Sequence, residues 1–395
     1  MNIIKNKRII IALTGGIACY KVVELIRILR KYDVIITVIM TKNATNFITP
    51  LTIETISCSK VYINDDTVKY NMDHINLTRN HDLIIIVPAT ANIIAKLANG
   101  IADDFLSTMI LARSCPLVLI PAMNKFMWNN NRTKSNISIL LNDNVILIGP
   151  NFGEQACGEI GVGRMVEPEE ILEYLIEFFS PKILKNMNIL ITAGPTIEPI
   201  DPIRYISNHS SGKTGYAIAN SAKNAGAKVT LVTGPTYLKT PNNIKTVFIN
   251  TANEMYESVI KNIDNIDVFI SVAAVSDWYI KNININKIKK KSNYIPEFIL
   301  HPTVDILSTV SETYDKIFCI GFAAETENIE EYAIKKLKEK KIDMIIANMA
   351  TQVMNSDMTE FIIFNKDGQR EFISNTSKID AAMKLIEKIA MKVNK

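Results

Sequence analysis

The chain has 395 residues, of which 48% are hydrophobic and 21% are charged, and its formal net charge is +4. This length favours two globular domains, and this composition excludes a largely disordered chain. The small net charge, without a basic stripe interleaved with aromatic residues, argues against nucleic-acid binding. Five irregularly spaced cysteines indicate a reducing compartment and no disulfide framework. With no signal peptide and no apolar run of about 18 residues, we expect a cytoplasmic protein without a membrane partner.

Short aliphatic runs alternate with helical stretches through the first half of the chain. Helices are predicted at 18–31 and 91–98, and strands at 8–13, 34–40, 83–87, 117–120 and 145–148. This alternation predicts an α/β domain with a doubly wound parallel sheet covered on both faces. In such a sheet, ligands bind beyond the carboxyl ends of the strands.

Small and polar residues follow several of these strands directly. Gly15 and Gly16 come after the first strand, where they let backbone amides approach a phosphate at a helix N-terminus. They do not complete the dinucleotide fingerprint, so a mononucleotide is favoured over NAD, and a plain tight turn is the alternative. Thr90 and Asn92 follow the third strand, where they can serve as helix caps or as ligand contacts.

Four segments resemble, in order, the FMN-dependent cysteine decarboxylases. They are 15–21, 88–92 with 102–104, 121–128 and 156–165. The resemblance covers about residues 5–175. It implies a flavodoxin-like fold, bound FMN and the decarboxylation of 4'-phospho-N-pantothenoylcysteine to 4'-phosphopantetheine. The FMN contacts that it implies are Gly15, Gly16, Thr41, Ala89, Thr90 and Asn92.

The chemistry of this family requires an electron sink, because loss of CO2 from an unmodified cysteine leaves an unstabilised carbanion. A flavin supplies the sink by oxidising the thiol to a thioaldehyde. The resemblance implies that His74 is the base, that Asn124 and Met127 hold the substrate carboxylate, and that Cys157 protonates the enethiolate. Taken alone, His74 can bond a backbone carbonyl instead, and Asn124 can cap a helix. Glycines around Cys157 predict a mobile loop that closes over the flavin.

A second domain is predicted after the helix of residues 167–179, which Ser180-Pro181 ends. We place the domains at 1–180 and 186–395. The second half has predicted strands at 189–192, 228–232, 245–248, 268–271, 317–321 and 344–347, with helices between them. This pattern predicts a second doubly wound, Rossmann-like sheet.

Gly212-Lys213-Thr214 matches the end of a P-loop, but Ser207 stands where the motif needs its first glycine. We therefore reject a P-loop. What remains is a Ser/Asn/Gly loop at a helix start, which is still suited to an anion.

The second half resembles the phosphopantothenate–cysteine ligases over about residues 188–390. The matching segments are 191–196, 198–213, 273–277, 287–290 and 321–326. The resemblance implies that phosphopantothenate attacks CTP to form an acyl-cytidylate and pyrophosphate, and that the amine of L-cysteine then displaces CMP, with Mg2+ or Mn2+ present. Both halves together resemble the bifunctional family of coenzyme A biosynthesis.

The ligase resemblance also implies site residues, although it identifies no metal ligands. Asn208 is implied as the donor to the acyl-phosphate oxygens and Arg204 as a substrate contact. For the lysines of this site a solvated face is the alternative. The implied CTP contacts are Ala273, Asp277, Lys287, Pro302, Thr303, Val304, Asp305, Phe322, Lys336 and Lys340.

Two segments depart from the ligase pattern. Leu300-His301-Pro302-Thr303 replaces Lys-Asn-Pro-Asp, and Ala347-Asn348-Met349 replaces Ala-Asn-Asp. These departures keep open a second possibility, a flavin decarboxylase whose ligase half is not catalytic. A third is a flavodoxin-like electron carrier or sensor. For the enzyme, the family implies flavin-domain trimers and ligase-domain dimers in a homo-oligomer as large as a dodecamer.

Overall fold

A computed structural model describes residues 3–63, 73–289, 297–349 and 357–393. Lys290, the last residue of the matching segment 287–290, and the side chain of Met349 lie outside the described residues. The chain divides into two compact units, residues 2–179 and 180–395. Each unit has its own sheet and its own hydrophobic core.

Six strands of the first unit form a parallel sheet in the order β3-β2-β1-β4-β5-β6. These strands are β1 (Arg8–Leu13), β2 (Ile35–Met40), β3 (Val61–Ile63), β4 (Leu83–Ala89), β5 (Leu117–Pro121) and β6 (Ile146–Leu147). An antiparallel hairpin follows, made of β7 (Asn151–Glu154) and β8 (Ile160–Arg164). The helices are α1 (Cys19–Lys31), α2 (Pro50–Ser57), α3 (Asp73–Arg79), α4 (Ala91–Ala98), α5 (Phe105–Leu111), α6 (Lys125–Asn129), α7 (Asn131–Asn142) and α8 (Pro168–Phe179).

The flavodoxin-like parallel sheet predicted for this unit is confirmed. All seven residues of β4 are buried, which follows from its run of aliphatic residues between two helical layers. Helix α1 buries Val22, Leu25, Ile26 and Leu29, whose spacing places them on one face.

The chain leaves β1 in one direction to build β2 and β3, and then returns to build β4 on the other side of β1. The loops after β1 and β4 therefore diverge. This topological switch point leaves a crevice at the carboxyl ends of the two strands.

The second unit has an eight-stranded sheet in the order β13-β12-β9-β14-β17-β18-β19-β20. Its sheet strands are β9 (Asn188–Ala193), β12 (Lys228–Thr233), β13 (Lys245–Phe248), β14 (Val268–Ser271), β17 (Phe318–Glu325), β18 (Met344–Met349), β19 (Met358–Asn365) and β20 (Arg370–Ser377). Two small antiparallel pairs are β10 (Ile197–Pro199) with β11 (Tyr205–Ser207), and β15 (Trp278–Ile280) with β16 (Leu300–Pro302). The helices are α9 (Lys213–Asn224), α10 (Ala252–Lys261), α11 (Ile306–Thr313), α12 (Ile329–Glu339) and α13 (Lys378–Val393).

The second sheet contains each predicted strand and, in addition, an antiparallel edge formed by β19 and β20. Its switch point lies between β9 and β14, because the chain builds β12 and β13 on one side and β14, β17 and β18 on the other. Within the described residues, no helix combines the length and the apolar character needed to cross a membrane.

Candidate active sites

A cavity of about 970 Å³ opens at the switch point of the first unit. Its wall is formed by the loops after β1, β2, β4 and β5, together with the β7–β8 hairpin. The predicted site residues that line it are Gly15, Gly16, Thr41, Thr90, Asn92, Asn124, Met127 and Cys157. The fold thus brings eight separately predicted residues to one place.

Two predicted residues of this unit are not among the described residues of the cavity wall. Ala89 is fully buried at the end of β4, where its carbonyl oxygen accepts a hydrogen bond from the Ala122 amide. His74 lies on α3 and is half-buried.

The ends of β1 and β4 are tied together by Thr14, which the sequence analysis missed. Its hydroxyl donates to the Pro88 carbonyl oxygen at 2.5 Å and accepts from the Thr90 amide at 3.2 Å. Thr90 also caps α4, because its Oγ1 accepts from the Ile93 amide. A threonine directly before a Gly-Gly turn was the only signal available for Thr14.

The residues around the β1–α1 turn fit a phosphate-bearing flavin. A Cβ atom at Gly15 would lie 2.6 Å from the Asn43 Cβ, so the close approach of these backbones depends on glycine. Thr41 lines the cavity, and its buried Oγ1 has no hydrogen-bond partner among the described residues. An unsatisfied buried hydroxyl beside a helix N-terminus is suited to an anionic oxygen.

Cys157 lies in the turn of the β7–β8 hairpin, where its side chain is exposed and its thiol is free. The Asn124 Nδ2 lies 3.4 Å from the Cys157 Sγ. Asn124 also caps α6, because its Oδ1 accepts from the Phe126 amide at 2.8 Å. The Asn124 side chain therefore caps the helix with its oxygen and faces the thiol with its nitrogen.

The hairpin passes unusually close to the loop that carries Asn124. Gly163 has a φ of +150°, and a Cβ atom there would lie 2.2 Å from the Met123 carbonyl oxygen. The Met123 amide also donates to the Gly163 carbonyl oxygen at 3.0 Å. Glycine at this position therefore sets the distance between Cys157 and Asn124.

We expect Gly163→Ala to displace the hairpin and to lower CO2 release from 4'-phospho-N-pantothenoylcysteine at least about tenfold, because misplaced reacting groups cost up to about a hundredfold in rate. Pyrophosphate release, which the ligase resemblance implies for the other unit, should not change. Gly153→Ala is the matched control on the same hairpin, since its φ is not positive and a Cβ atom there meets the movable side chain of Arg164 at 2.9 Å, not the backbone. Equal losses in both variants would contradict the role of close approach.

An ion-pair cluster borders the cavity. The Lys96 Nζ lies 2.6 Å from Asp103 Oδ1 and 3.0 Å from Asp104 Oδ2. The hydrogen bond that Lys96 donates to Asp103 is the main cause that raises the pKa of Lys96. Burial by itself raises the pKa of Asp104, but the Ser107 amide and Lys96 outweigh it and hold that pKa below its ordinary value. Asp104 also caps α5 through a capping box with Ser107.

This lowered pKa predicts an acid-dependent loss of stability. Asp104 stabilises the folded unit above the carboxyl pKa of the unfolded chain, and the contribution is lost as the pH falls through the lower folded value. Asp104→Asn keeps a capping oxygen but removes the charge, so we expect a destabilisation of about 1.5 kcal/mol at pH 7 that is smaller at about pH 3, below the carboxyl pKa of the unfolded chain. Urea unfolding followed by Trp128 fluorescence, in a Trp278→Phe background, measures it. An equal effect at both pH values would contradict the assignment, and Asp103→Asn, at a more exposed carboxyl, should change stability less.

In the second unit, Asn208 lies at the switch point between β9 and β14. Its Nδ2 donates to the Ala274 carbonyl oxygen at 2.9 Å, next to Ala273. The same carbonyl oxygen accepts from the Thr196 amide, and the Ala274 amide donates to the Gly194 carbonyl oxygen. Asn208 is thereby held between the loops that follow the two strands.

Asp201, another residue without a predicted role, organises the loop that carries Arg204. Its side chain is fully buried, and its oxygens accept from the amides of Ile203, Arg204 and Ile288. Burial would raise its pKa, but these amides and the Arg204 guanidinium keep the pKa of Asp201 below its ordinary value. Arg204 Nη2 donates to the Ile288 carbonyl oxygen at 2.7 Å, so the segment that holds the exposed Lys287 is fixed beside Arg204. The Asp-Pro sequence, typical of turns, was the available signal.

The remaining predicted CTP residues form two contacting groups. Thr303 binds the two residues directly before β15, since its amide donates to the Asp277 carbonyl oxygen at 3.0 Å and its hydroxyl to the Ser276 carbonyl oxygen at 2.6 Å. Pro302 pairs with Trp278 across β15 and β16. Val304, which follows Thr303, is 43% exposed.

The second group is centred on Lys336 of α12 and on Lys340, which directly follows that helix. Lys336 Nζ donates to the Phe322 carbonyl oxygen at 3.0 Å, and Lys340 Nζ lies 2.8 Å from Asp305 Oδ2. Burial, reinforced by the charge of Lys340, lowers the pKa of Lys336, and the carboxylates of Asp277 and Asp305 act in the opposite direction. The two groups are therefore close enough to share one electrostatic environment.

Comparison with known proteins identifies the family. The flavoprotein family model matches residues 2–180, and the model of the DNA/pantothenate metabolism flavoprotein C-terminal domain matches residues 184–393. The chain is 43% identical over 399 residues to the coenzyme A biosynthesis bifunctional protein CoaBC of Haemophilus influenzae, with 99% of each chain covered. It is 42% identical over 398 residues to CoaBC of Vibrio parahaemolyticus, covering 98% of this chain and 99% of the relative, and 42% identical over 374 residues to CoaBC of Escherichia coli K12, covering 92% of each.

The chain belongs to the CoaBC family. It is a flavoprotein and a bifunctional enzyme of coenzyme A biosynthesis, with decarboxylase and ligase activities.

The segment that departs from the ligase pattern keeps a regular backbone in this CoaBC family member. Leu300 and His301 pair with Ile280 and Tyr279 across β15 and β16. The His301 ring lies 5.9 Å from the ring of Tyr279, its partner in the β15–β16 pair. Among the described residues, no cluster of three or more His, Cys, Asp or Glu side chains can hold a metal ion.

Proposed function

We propose that this enzyme joins L-cysteine to 4'-phosphopantothenate at the expense of CTP and then decarboxylates 4'-phospho-N-pantothenoylcysteine to 4'-phosphopantetheine with bound FMN. The domain assignments are 1–180 for the decarboxylase and 186–395 for the ligase. The observation that carries the proposal is the convergence of Asn124, Met127 and Cys157 with the Gly15-Gly16 turn on one cavity, in a chain of the CoaBC family.

FMN would be held by Gly15, Gly16, Thr41, Thr90 and Asn92, with Ala89 contributing only through its backbone position in β4. When bound, FMN supplies the electron sink that makes loss of the cysteine carboxylate possible. The cavity, at about 970 Å³, lies at the upper end of ordinary ligand pockets and has room for a cofactor with a substrate.

Asn124 Nδ2 is the donor that we assign to the substrate carboxylate, with Met127 as the apolar contact beside it. Cys157 Sγ then gives its proton to the carbon from which CO2 has left. The 3.4 Å separation of Nδ2 and Sγ supports this pairing, because both groups must act on adjacent atoms of one cysteine residue.

His74 requires a second chain in this proposal. It lies outside the described wall of the cavity of its own chain, and we propose that it acts as the base for a neighbouring copy in a flavin-domain trimer. Mixing His74→Gln chains with Cys157→Ala chains should then restore decarboxylation to about a quarter of the wild-type rate, since random assembly joins two intact groups at one site in four. Activity no higher than the sum of the separate variants would contradict this arrangement.

In the ligase unit, Asn208 is the donor to the acyl-phosphate oxygens and Arg204 contacts phosphopantothenate. Ala273, Asp277, Phe322 and the 302–305 segment would bind the nucleotide. Lys287, Lys336 and Lys340 would neutralise its triphosphate. Mg2+ or Mn2+ would arrive with CTP as its counter-ion. Ligase dimers, a larger homo-oligomer and a cytoplasmic location complete the proposal.

The test is to incubate the full FMN-loaded chain with 4'-phosphopantothenate, L-cysteine and Mg·CTP. We expect one pyrophosphate, one CMP and one CO2 for each 4'-phosphopantetheine formed. CO2 release from supplied 4'-phospho-N-pantothenoylcysteine without any pyrophosphate release would leave only a decarboxylase with a non-catalytic ligase half. Bound flavin with neither product would favour an electron carrier or sensor.

A further inference from the structure

The amide that we assign to the substrate carboxylate is already bound to a carboxylate of the chain itself. Asn124 Nδ2 donates a hydrogen bond to Glu159 Oε2. Glu159 lies in the hairpin turn directly before β8, and its side chain is 35% exposed. The sequence analysis assigned it no role.

The orientation of the Asn124 amide follows from its partners. Its other polar atom accepts from the Phe126 amide, so that atom must be the oxygen, and the atom facing Glu159 must be the NH2 group. That NH2 group has two hydrogens, and its two neighbours are Glu159 Oε2 and Cys157 Sγ at 3.4 Å. Both donor positions are therefore taken within the chain.

Glu159 also reaches the other groups of the site. Its Oε2 lies 3.8 Å from Cys157 Sγ, and its Oε1 lies 4.0 Å from Lys125 Nζ. The backbone holds it there, because the Gln155 amide donates to the Glu159 carbonyl oxygen at 2.9 Å and closes the turn. One carboxylate thus fixes the relative position of the proposed clamp and the proposed acid.

We propose that Glu159 is a resident carboxylate that occupies the substrate-carboxylate position at Asn124 and must be displaced by the carboxylate of 4'-phospho-N-pantothenoylcysteine. This inference rests on the proposed function and adds a positioning and specificity residue to it. Two carboxylates beside one amide repel each other, so Glu159 repels the bound substrate carboxylate. This repulsion ends once CO2 has left. The decarboxylated product has no carboxylate to accept from this amide, so Glu159 binds the amide again.

This arrangement predicts a selective effect on affinity. Glu159→Gln keeps the size of the side chain and an oxygen that can accept from Asn124, but removes the charge. Because a hydrogen bond to an ionised acceptor is roughly twice as strong as a neutral one, we expect a carboxylated ligand to displace Gln more easily and to bind about fivefold more tightly. A decarboxylated ligand should bind as it does to the wild-type chain.

The experiment uses the full FMN-loaded chain and two ligands that it cannot turn over. S-methyl-4'-phospho-N-pantothenoylcysteine has a thioether that cannot become a thioaldehyde, and S-methyl-4'-phosphopantetheine differs from it only by the missing carboxylate. Calorimetric titration of both ligands gives the ratio of their Kd values. The decarboxylated ligand also reports whether each variant is correctly folded.

Glu154→Gln is the matched control. Glu154 is an exposed carboxylate of β7 on the same hairpin, and it lines the cavity beside Cys157. We expect the ratio to shift about fivefold in Glu159→Gln and to stay at the wild-type value in Glu154→Gln. An equal shift in both variants, no shift in Glu159→Gln, or weaker binding of the carboxylated ligand would overturn the proposal.

These outcomes are distinct from a failure of the proposed function. If the wild-type chain releases no CO2 but binds both ligands, the ratio still decides the role of Glu159. If neither ligand binds, the proposal about Glu159 falls together with the decarboxylase assignment. A shifted ratio with normal turnover supports both.

Discussion

Replacing Cys157 by serine is expected to separate CO2 loss from product formation. The serine hydroxyl is similar in shape to the thiol but is a much weaker acid, so the enethiolate left by decarboxylation should not be protonated. Since a general acid contributes about 10²- to 10⁴-fold in rate, formation of 4'-phosphopantetheine should fall at least about a hundredfold. CO2 release should stop near one equivalent per chain. Trapped CO2 and the mass of the organic product, expected as the enethiol, measure the two steps.

Cys58→Ser is the control for this variant. Cys58 is a second free and exposed cysteine of the same unit, and it does not belong to the described wall of the cavity. Its replacement should leave both steps unchanged. Full turnover by the Cys157→Ser chain would show that another group delivers the proton.

Replacing Lys336 by methionine is expected to abolish most of the ligase activity. Methionine keeps the length and the apolar stem of the side chain, while the cation that we assign to the CTP phosphates is lost. Because the site is partly desolvated, loss of one charged donor should lower kcat/KM for CTP by about 10²- to 10³-fold. Pyrophosphate release with phosphopantothenate and cysteine measures it, and CO2 release from supplied 4'-phospho-N-pantothenoylcysteine should not change.

Lys335→Met is the matched control, because Lys335 is the preceding residue of α12, 67% exposed and paired with Glu339. Its loss should change kcat/KM less than about twofold, as is usual for an exposed ion pair. Comparable losses in Lys335→Met and Lys336→Met would point to general helix damage instead of phosphate binding.

The lowered pKa of Lys336 adds a dependence on pH. The cation is lost as the pH rises through that pKa, which lies below the value of an exposed lysine. The affinity for CTP should therefore fall on the alkaline side earlier than an ordinary lysine would allow. The Lys336→Met chain should lack this part of the profile.

The two candidate sites share one construction. Each lies where the loops after two neighbouring parallel strands diverge, β1 and β4 in the first unit and β9 and β14 in the second. In each unit two backbone segments approach so closely that only glycine fits between them, and this approach sets the spacing of the loops. In the first unit the approach is that of Gly163 to Met123. In the second it is that of Gly234 to Pro195, where a Cβ atom would lie 1.7 Å from the Pro195 carbonyl oxygen. We infer that these glycines are as necessary to the sites as the polar residues.

The strands and helices that build both sheets were predictable from the sequence, because buried aliphatic runs such as β4 and the helical spacing of α1 are local properties of the chain. The loops that carry Gly15, Thr90, Asn124 and Asn208 were predictable for the same reason, since each follows a strand or precedes a helix. The antiparallel edge of β19 and β20 was missed although its pairing is local, since the two strands form a hairpin around Asp367-Gly368, a dipeptide typical of hairpin turns.

By itself, the sequence therefore determined the two-sheet architecture, the family resemblance and the residue types at the strand ends. Only the tertiary structure decided which side chains meet. It showed Glu159 bound to Asn124, Asp201 holding the Arg204 loop, and Lys340 paired with Asp305 while Lys336 is half-buried. The physical reason is that hydrogen bonding, burial and charge pairing act through space. Glu159 and Asn124 are 35 residues apart in the chain, so the sequence around either residue shows no sign of their contact.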